Sequence, residues 1–309
     1  MVIMHQPYND LNSALRARFG CRVQKITIDA GLTCPNRDGT VSSGGCMYCN
    51  TSGSGTGASA HASVTEQIVS ALPFLRKRYK AKKFIAYFQS FSNTYAPVET
   101  LRSLYEEALA VDEIAGLAIG TRPDCVDDNV LGLLEELNKK TYVSVEYGLQ
   151  SIHDRTLELI NRGHTAADFS DAVNRTRARS IEVCAHVILG LPGENKDDML
   201  TTARAVGRMD IQGIKIHLMY VIRGTKLHEM YEKGEYRCLG RDEYIDILCE
   251  FIALLPPGMI IHRLTGDPHR EELAAPLWAL EKNENLNMIW DTLKKRNLRQ
   301  GMLFENNQR

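Results

Sequence analysis

Three cysteines, Cys34, Cys46 and Cys49, are spaced C-x11-C-x2-C in a run crowded with turn formers, Cys34-Pro35-Asn36-Arg37-Asp38-Gly39 through Ser43-Gly44-Gly45-Cys46-Met47-Tyr48-Cys49. Three inert core thiols would sit on apolar faces, whereas these lie in a Gly-rich loop. Grouped thiolates bind soft metal centres, and two such chemistries fit. Structural zinc takes four protein ligands in tetrahedral array, and His61 continues the pattern as C-x11-C-x2-C-x11-H. A [4Fe–4S] cluster uses four thiolates when the protein holds every iron, so three leave one iron open to an outside ligand. The cysteines alone leave both readings standing. The other five, Cys21, Cys125, Cys184, Cys238 and Cys249, form no second CxxC pair. Cys184 and Cys249 fall on apolar patterns and read as core.

A loop of this kind must be carried by regular elements. Apolar, β-rich runs at 22–29, 83–89, 116–121, 141–148, 182–189 and 213–220 alternate with amphipathic helical runs. Ser63 with Glu66 makes a capping box ahead of Ile68, Leu72 and Leu75, and Thr165 with Asp168 caps Phe169, Ala172, Val173 and Thr176. Pro97 suits a helix start, and Asp127 or Asp128 opens the run Leu131, Leu134 and Leu137. Six strand–helix units imply a parallel sheet with right-handed crossovers, two units short of a full eight-fold barrel. The fold class is therefore α/β, a partial TIM barrel (β/α)6. Three segments follow: 1–21 at the N-terminus, the core at 22–222, and a small helical C-terminal extension at 223–309. No Gly/Ser linker separates the last two. The long connection after the first strand, 30–62, contains the cysteines, and long loops after barrel strands build active sites.

The chain has 309 residues, a formal net charge of −1 and 44% apolar residues. That balance excludes a wholesale polycation and an acidic disordered chain. Scattered cysteines at this length are not a disulfide scaffold. Met1 to Pro7 lacks an apolar run long enough for secretion, and the apolar stretch around Ile245 to Leu255 is broken by Asp246 and Glu250. No membrane association and a reducing cytoplasm are the expectations.

With Tyr48 directly before the third cysteine, the motif resembles the cluster loop of radical S-adenosylmethionine (radical SAM) enzymes. Its spacing is longer than their commonest CxxxCxxC form and is nearest the YhcC-type family. Gly148-Leu149-Gln150-Ser151, Asn161-Arg162-Gly163-His164-Thr165 and Val187-Ile188-Leu189-Gly190-Leu191-Pro192-Gly193-Glu194 follow in the order seen in the Elongator catalytic-subunit and oxygen-independent coproporphyrinogen oxidase branches. The resemblance covers roughly residues 25–227. It implies a [4Fe–4S] cluster on Cys34, Cys46 and Cys49, with S-adenosylmethionine (SAM) on the open iron. Reduction then yields methionine and a 5′-deoxyadenosyl radical that abstracts hydrogen from substrate.

The resemblance also implies a set of SAM contacts. Tyr48 lies beside the cluster. At the end of the second strand Gln89 and Ser90 stand where a Gly-rich turn usually holds the SAM amine. Gln150 and Arg162 match polar SAM-binding positions of the coproporphyrinogen oxidase branch, and a guanidinium over a carboxylate forms a charge-assisted pair. Glu146 alternates with Gly148 and Gln150, so it points into the barrel, with Arg122 as its candidate partner. His186 replaces an Asp near the ribose, and Ile188 and Leu191 offer an apolar shelf for adenine.

Two cationic runs, Arg76 to Lys83 and Lys294 to Arg299, are candidate phosphate footprints. Together with the Elongator resemblance they make tRNA, modified at the wobble uridine, the leading substrate. The other readings are a small metabolite or porphyrin-like substrate, and a non-enzymatic zinc protein that binds RNA or a partner. Radical chemistry implies an electron donor such as flavodoxin. The turn Ile261 to Arg270 resembles a signature of the narrower family and is expected to cap the barrel over substrate, with Arg263 or Asp267 as contacts.

Overall fold

The computed structural model describes residues 6–50, 53 and 62–305. The strands are β1 (Val23–Ile28), β2 (Lys83–Phe88), β3 (Ile114–Thr121), β4 (Tyr142–Gln150), β5 (Glu182–Leu189), β6 (Gly213–Leu218), β7 (Val221–Ile222), β8 (Ile260–Arg263) and β9 (Leu273–Ala275). The helices are α1 (Leu11–Phe19), α2 (Val64–Tyr79), α3 (Val98–Leu109), α4 (Asp128–Asn138), α5 (Asp154–Leu159), α6 (Ala166–Ala178), α7 (Lys196–Gly207), α8 (Lys226–Glu232), α9 (Arg241–Leu254) and α10 (Lys282–Lys295). The caps are where the side chains place them. Ser63–Glu66 and Thr165–Asp168 form capping boxes, and Asp127 caps α4 by accepting from Val130 N–H.

A seven-stranded sheet runs β1-β2-β3-β4-β5-β6-β8, parallel throughout. It is the partial barrel the alternation predicts, with one strand more than six. The extra strand, β8, comes from the segment expected to be a small helical extension with a turn at Ile261 to Arg270. The short apolar run Met259-Ile260-Ile261, released by Pro256-Pro257-Gly258, pairs with β6 instead of ending as a loop. The extension also supplies β9, antiparallel to β7.

The two sheet faces have different company. Val143, Val145, Tyr147 and Leu149 of β4 join Val183, Ala185, Val187 and Leu189 of β5 in the apolar layer under the helices. The alternate residues, Ser144, Glu146, Gly148 and Gln150, line the concave side with Cys184, His186, Lys215 and His217. The polar lumen stops at α1, whose Leu15 packs on Val23, Ile85, Tyr87 and Ala118. Asp10, the N-cap of α1, bridges to Ile261 of β8, so α1 is tied to the last strand as well as the first.

Two glycines report on this packing with opposite signs. A Cβ on Gly116 of β3 would lie 2.4 Å from the Tyr142 carbonyl oxygen, where backbone cannot yield. A Cβ on Gly132 of α4 meets nothing within 4 Å. Gly116→Ala should therefore destabilise by about 1–3 kcal/mol, and Gly132→Ala should stabilise by about 0.5–1 kcal/mol. Thermal melts of the two variants, moving in opposite directions from wild type, check the register of β3 against β4.

Candidate functional site

The cysteine loop leaves β1 and folds without helix or strand. Cys34 O accepts from Arg37 N (2.8 Å) and Asp38 N (3.2 Å), Pro35 O accepts from Val41 N (2.9 Å), and Asn36 O accepts from Gly45 N (2.8 Å). Its second half is fastened to the turn after α5. Met47 N donates to Ile160 O (3.1 Å), Asn161 Nδ2 to Gly45 O (2.8 Å), and Asn36 Nδ2 to Asn161 O (2.5 Å). Leu227 N, from α8, donates to Met47 O (3.0 Å). All three cysteines line one cavity of about 380 Å³, together with Tyr48, Gln89, Gln150, Arg162, His186 and Ile188.

Arg162 joins the loop to the barrel. Its Nη1 reaches Cys46 Sγ (3.5 Å), Nη2 donates to Gly148 O (2.9 Å), and Nε donates to His164 Nε2 (3.0 Å). Gly148 must lack a side chain for this, since a Cβ there would lie 2.5 Å from Arg162 Nη2 and 2.6 Å from Gln150 Nε2. Gln150 closes β4 at φ 75° after a register shift against β5, which turns its amide into the cavity. A hydrogen bond from the Cys49 thiol, and then the Arg162 charge, hold Cys46 well below the ordinary thiol value. Asn36 Nδ2 adds a contact to the same sulfur at 3.6 Å.

Glu146 is fully buried, but its partner is not Arg122. Arg122 lies beyond the end of β3 and is held by Asp124, through Nε at 2.9 Å and Nη2 at 2.6 Å, while Nη1 donates to Arg162 O (2.6 Å). Glu146 pairs in register with Gly120, two residues deeper than Arg122. Its partners are Lys25 of β1 and Lys215 of β6, reaching in from other strands of the lumen, and His186 Nε2 of the adjacent β5 at 2.8 Å. Burial alone would raise this carboxyl, yet the Lys215 and Lys25 charges and the His186 hydrogen bond hold it well below the usual range. Burial pulls Lys215 down to about 8 and His186 down to about 4. Glu146, Cys184 and His186 present ligand atoms within 4.8 Å of one another. Two ammonium groups already stand where a metal would, so this trio is a hydrogen-bonded ion cluster.

The other expected positions divide. Gln89, Tyr48 and Ile188 face the cavity. Ser90 is buried outside its lining, with its carbonyl accepting from Asn93 Nδ2 (3.0 Å). Leu191 packs away from the cavity among Met47, Leu157, Ile160 and Tyr236. The Gly190 carbonyl that precedes it accepts from Tyr236 O–H (2.8 Å). His61 lies outside the described residues. Asp267 is exposed at the cavity mouth, paired with Lys282 at 2.6 Å, whereas Arg263 belongs to β8 and faces the lumen. Lys25, Thr27, Tyr87, Lys215 and His217 also line or close the lumen without having been expected there. The period-two pairs Lys25/Thr27 and Lys215/His217 were their only sequence signal.

The first basic run sits at the far end of the barrel, where β1 and β2 begin, and the second ends α10 on the outer side of α9. Arg76 pairs with Glu113, and Lys82 and Lys83 bond Arg22 where β1 begins. Arg296 pairs with Asp246 and Glu250. Among the described residues no helix is long and apolar enough to cross a membrane.

The donor set fits a cluster. Tetrahedral zinc would draw its sulfurs to about 3.8 Å from one another, given Zn–S bonds of about 2.3 Å. The only described trio gathered within 4.8 Å is the Glu146 one, so the three cysteine sulfurs are not all drawn that close together, although Cys46 and Cys49 are hydrogen-bonded neighbours. No fourth cysteine lines the cavity among the described residues, which leaves one corner of a four-iron cluster for an outside ligand.

Comparison with known proteins agrees. Residues 36–206 match the Radical SAM superfamily, and residues 211–295 match the Radical_SAM C-terminal domain. The chain is 44% identical to the uncharacterized protein YtqA of Bacillus subtilis over 302 residues, 96% of this chain and 93% of YtqA. It is 39% identical to protein YhcC of Escherichia coli K12 over 271 residues, 87% of each. A tRNA uridine(34) acetyltransferase of Methanocaldococcus jannaschii is 30% identical over 173 residues, 53% of this chain and 31% of that protein. The solved structure of archaeal Elp3 from Methanocaldococcus infernus superposes with a TM-score of 0.67 at 18% identity, over 90% of this chain and 64% of that one, and so shares the fold. Members of the superfamily generally use a [4Fe–4S] cluster and SAM. The chain belongs to the radical SAM superfamily, in its YhcC-type branch, and is a radical SAM enzyme.

Proposed function

We propose that Cys34, Cys46 and Cys49 hold a [4Fe–4S] cluster, that SAM lies between it and the ends of β2, β4 and β5, and that the substrate is a wobble uridine of tRNA. The observation that carries the cofactor reading is the Arg162 bridge. One buried guanidinium touches a cluster cysteine and the strand end that bears Gln150. The cluster and SAM supply one chemistry when bound: an electron breaks the sulfonium S–C5′ bond, releasing methionine and a 5′-deoxyadenosyl radical that takes a hydrogen atom from substrate.

The remaining tasks fall to this chain. Arg162 offers its charge to the cysteine sulfurs and to a carboxylate beside them. The amides of Gln150 and Gln89 can hydrogen-bond an amine, a carboxylate or ribose hydroxyls. Ile188 gives an apolar contact for a base, and Tyr48 walls the cysteine side. A recessed cavity limits the access of water to a reactive intermediate. The electron comes from an external donor such as flavodoxin. The tRNA reading rests on the Elongator-like motifs and on the relative that acts on uridine 34, matched over about half of this chain.

Two measurements test these readings separately. Protein purified without oxygen should contain iron and sulfide and, with dithionite, release 5′-deoxyadenosine from SAM, and Cys49→Ala should bring both iron and product to background. Stoichiometric zinc without iron, or product from the variant, would refute the cluster. For the substrate, tRNA nucleosides from a deletion strain and its parent are compared by mass spectrometry. A wobble-uridine derivative should disappear or a precursor accumulate, and identical profiles would redirect the search to a small metabolite.

A further inference from the structure

The cations around the cavity differ in whether anything meets them. Arg122 is held by Asp124, Arg162 by Gly148 O and Cys46, Arg37 by Asn50 O at 2.7 Å, and both Lys25 and Lys215 converge on Glu146. The Arg263 guanidinium lines the same cavity and has no hydrogen bond or ion pair with any described residue. The His217 ring, on the neighbouring strand, has none either, and lies tilted 5.4 Å from that of His186.

The backbone puts Arg263 there. Ile261 of β8 pairs with Ile214, but Lys215 pairs with Arg263, so His262 is an extra residue on β8. Such a bulge re-aims a side chain, and bulges gather next to active sites. Without it the alternation would bring His262 opposite Lys215 and place Arg263 on the helix-covered face. The bulge instead sets the guanidinium beside Lys215, on the strand at the opposite sheet edge from β1 and its cysteine loop.

The charges around it are unbalanced. Burial keeps His186 down at about 4 and pushes His217 and His262 well below the ordinary imidazole value, so all three are neutral near pH 7. Lys25, Lys215 and Arg263 then share Glu146 within the lumen, while the two carboxylates at the rim are engaged elsewhere, Asp267 by Lys282 and Glu272 by Asn50 Nδ2. Arg263 is half-buried with no paired counter-charge, and a guanidinium fork matches the paired oxygens of a carboxylate or phosphate.

We propose that Arg263, aimed into the lumen by the β8 bulge, determines substrate specificity by pairing with an oxyanion, carboxylate or phosphate, on the substrate, with the His217 ring as a hydrogen-bond donor at its side. The assignment rests on reading this cavity as the reaction site. It goes further by requiring that the part of the substrate brought to the cluster carry a negative group.

Anion binding tests it without turnover. Cluster-loaded protein is melted in acetate, in inorganic phosphate and in chloride at one ionic strength. One oxyanion should raise the wild-type Tm by a few degrees, saturably, over chloride, and which one does so identifies the group. Arg263→Gln should lose the shift, Arg263→Lys should keep part of it, and Lys139→Gln, at an exposed cation closing α4, should keep all of it. No shift in wild type, or an equal shift in Arg263→Gln, overturns the proposal. SAM binding is measured in parallel, because SAM has its own carboxylate. If Arg263→Gln weakens SAM binding as much as it weakens the anion shift, Arg263 serves the cofactor and the proposal fails. A wild type that shifts with oxyanions but forms no 5′-deoxyadenosine would sink the radical reading and leave the anion site standing.

Discussion

The constraint on which the site depends is the burial of Arg162. Its guanidinium is enclosed, and its polar neighbours are a carbonyl, a neutral imidazole and the Cys46 sulfur. A buried cation is tolerated only where its charge is answered. The Cys46 sulfur answers it, and the Arg162 charge helps hold that thiol below its ordinary value in turn. The coupling explains how a loop with no helix or strand keeps one geometry. Its second half is hydrogen-bonded to residues 160–162, and the same residues present the guanidinium.

Below that latch, the lumen departs from a closed eight-fold barrel, whose interior is filled by layers of branched aliphatic side chains. Here the inner face has Lys25, Thr27, Tyr87, Glu146, His186, Lys215 and His217. Glu146 is the hub that makes this tolerable, since it accepts from groups on β1, β5 and β6. One carboxylate thus ties three strands across the open barrel. The polar layer keeps space that an apolar filling would close.

Local features were legible in the sequence and cross-lumen ones were not. Strand positions followed from apolar runs, and the caps at Ser63, Asp127 and Thr165 are one-residue signals with a fixed geometric consequence. Cys34, Cys46 and Cys49 were legible because their partners lie within the same loop. Glu146 was expected in the lumen because alternation fixes its face, but its partners depend on how strands far apart in sequence curl toward one another. Arg122, near in register, was therefore a plausible and mistaken choice. Strand β8 escaped because it is four residues long and bulged. Leu191 was misplaced because period two along β5 puts it on the side of Val187 and Leu189 rather than that of Ile188, and beyond the Gly190 turn it packs toward Tyr236 and Leu157.

The stopper that α1 makes at the base of the barrel has a consequence for traffic. Leu15 seals the end where the strands begin, so the cavity is a blind well with its rim at the Asp267 and Glu272 side. Whatever sits deepest must enter first and leave last. A group bound at the floor is trapped beneath anything lodged nearer the rim, and departure of the upper occupant gates release of the lower one. The architecture therefore imposes a sequence of arrivals and departures without any moving part.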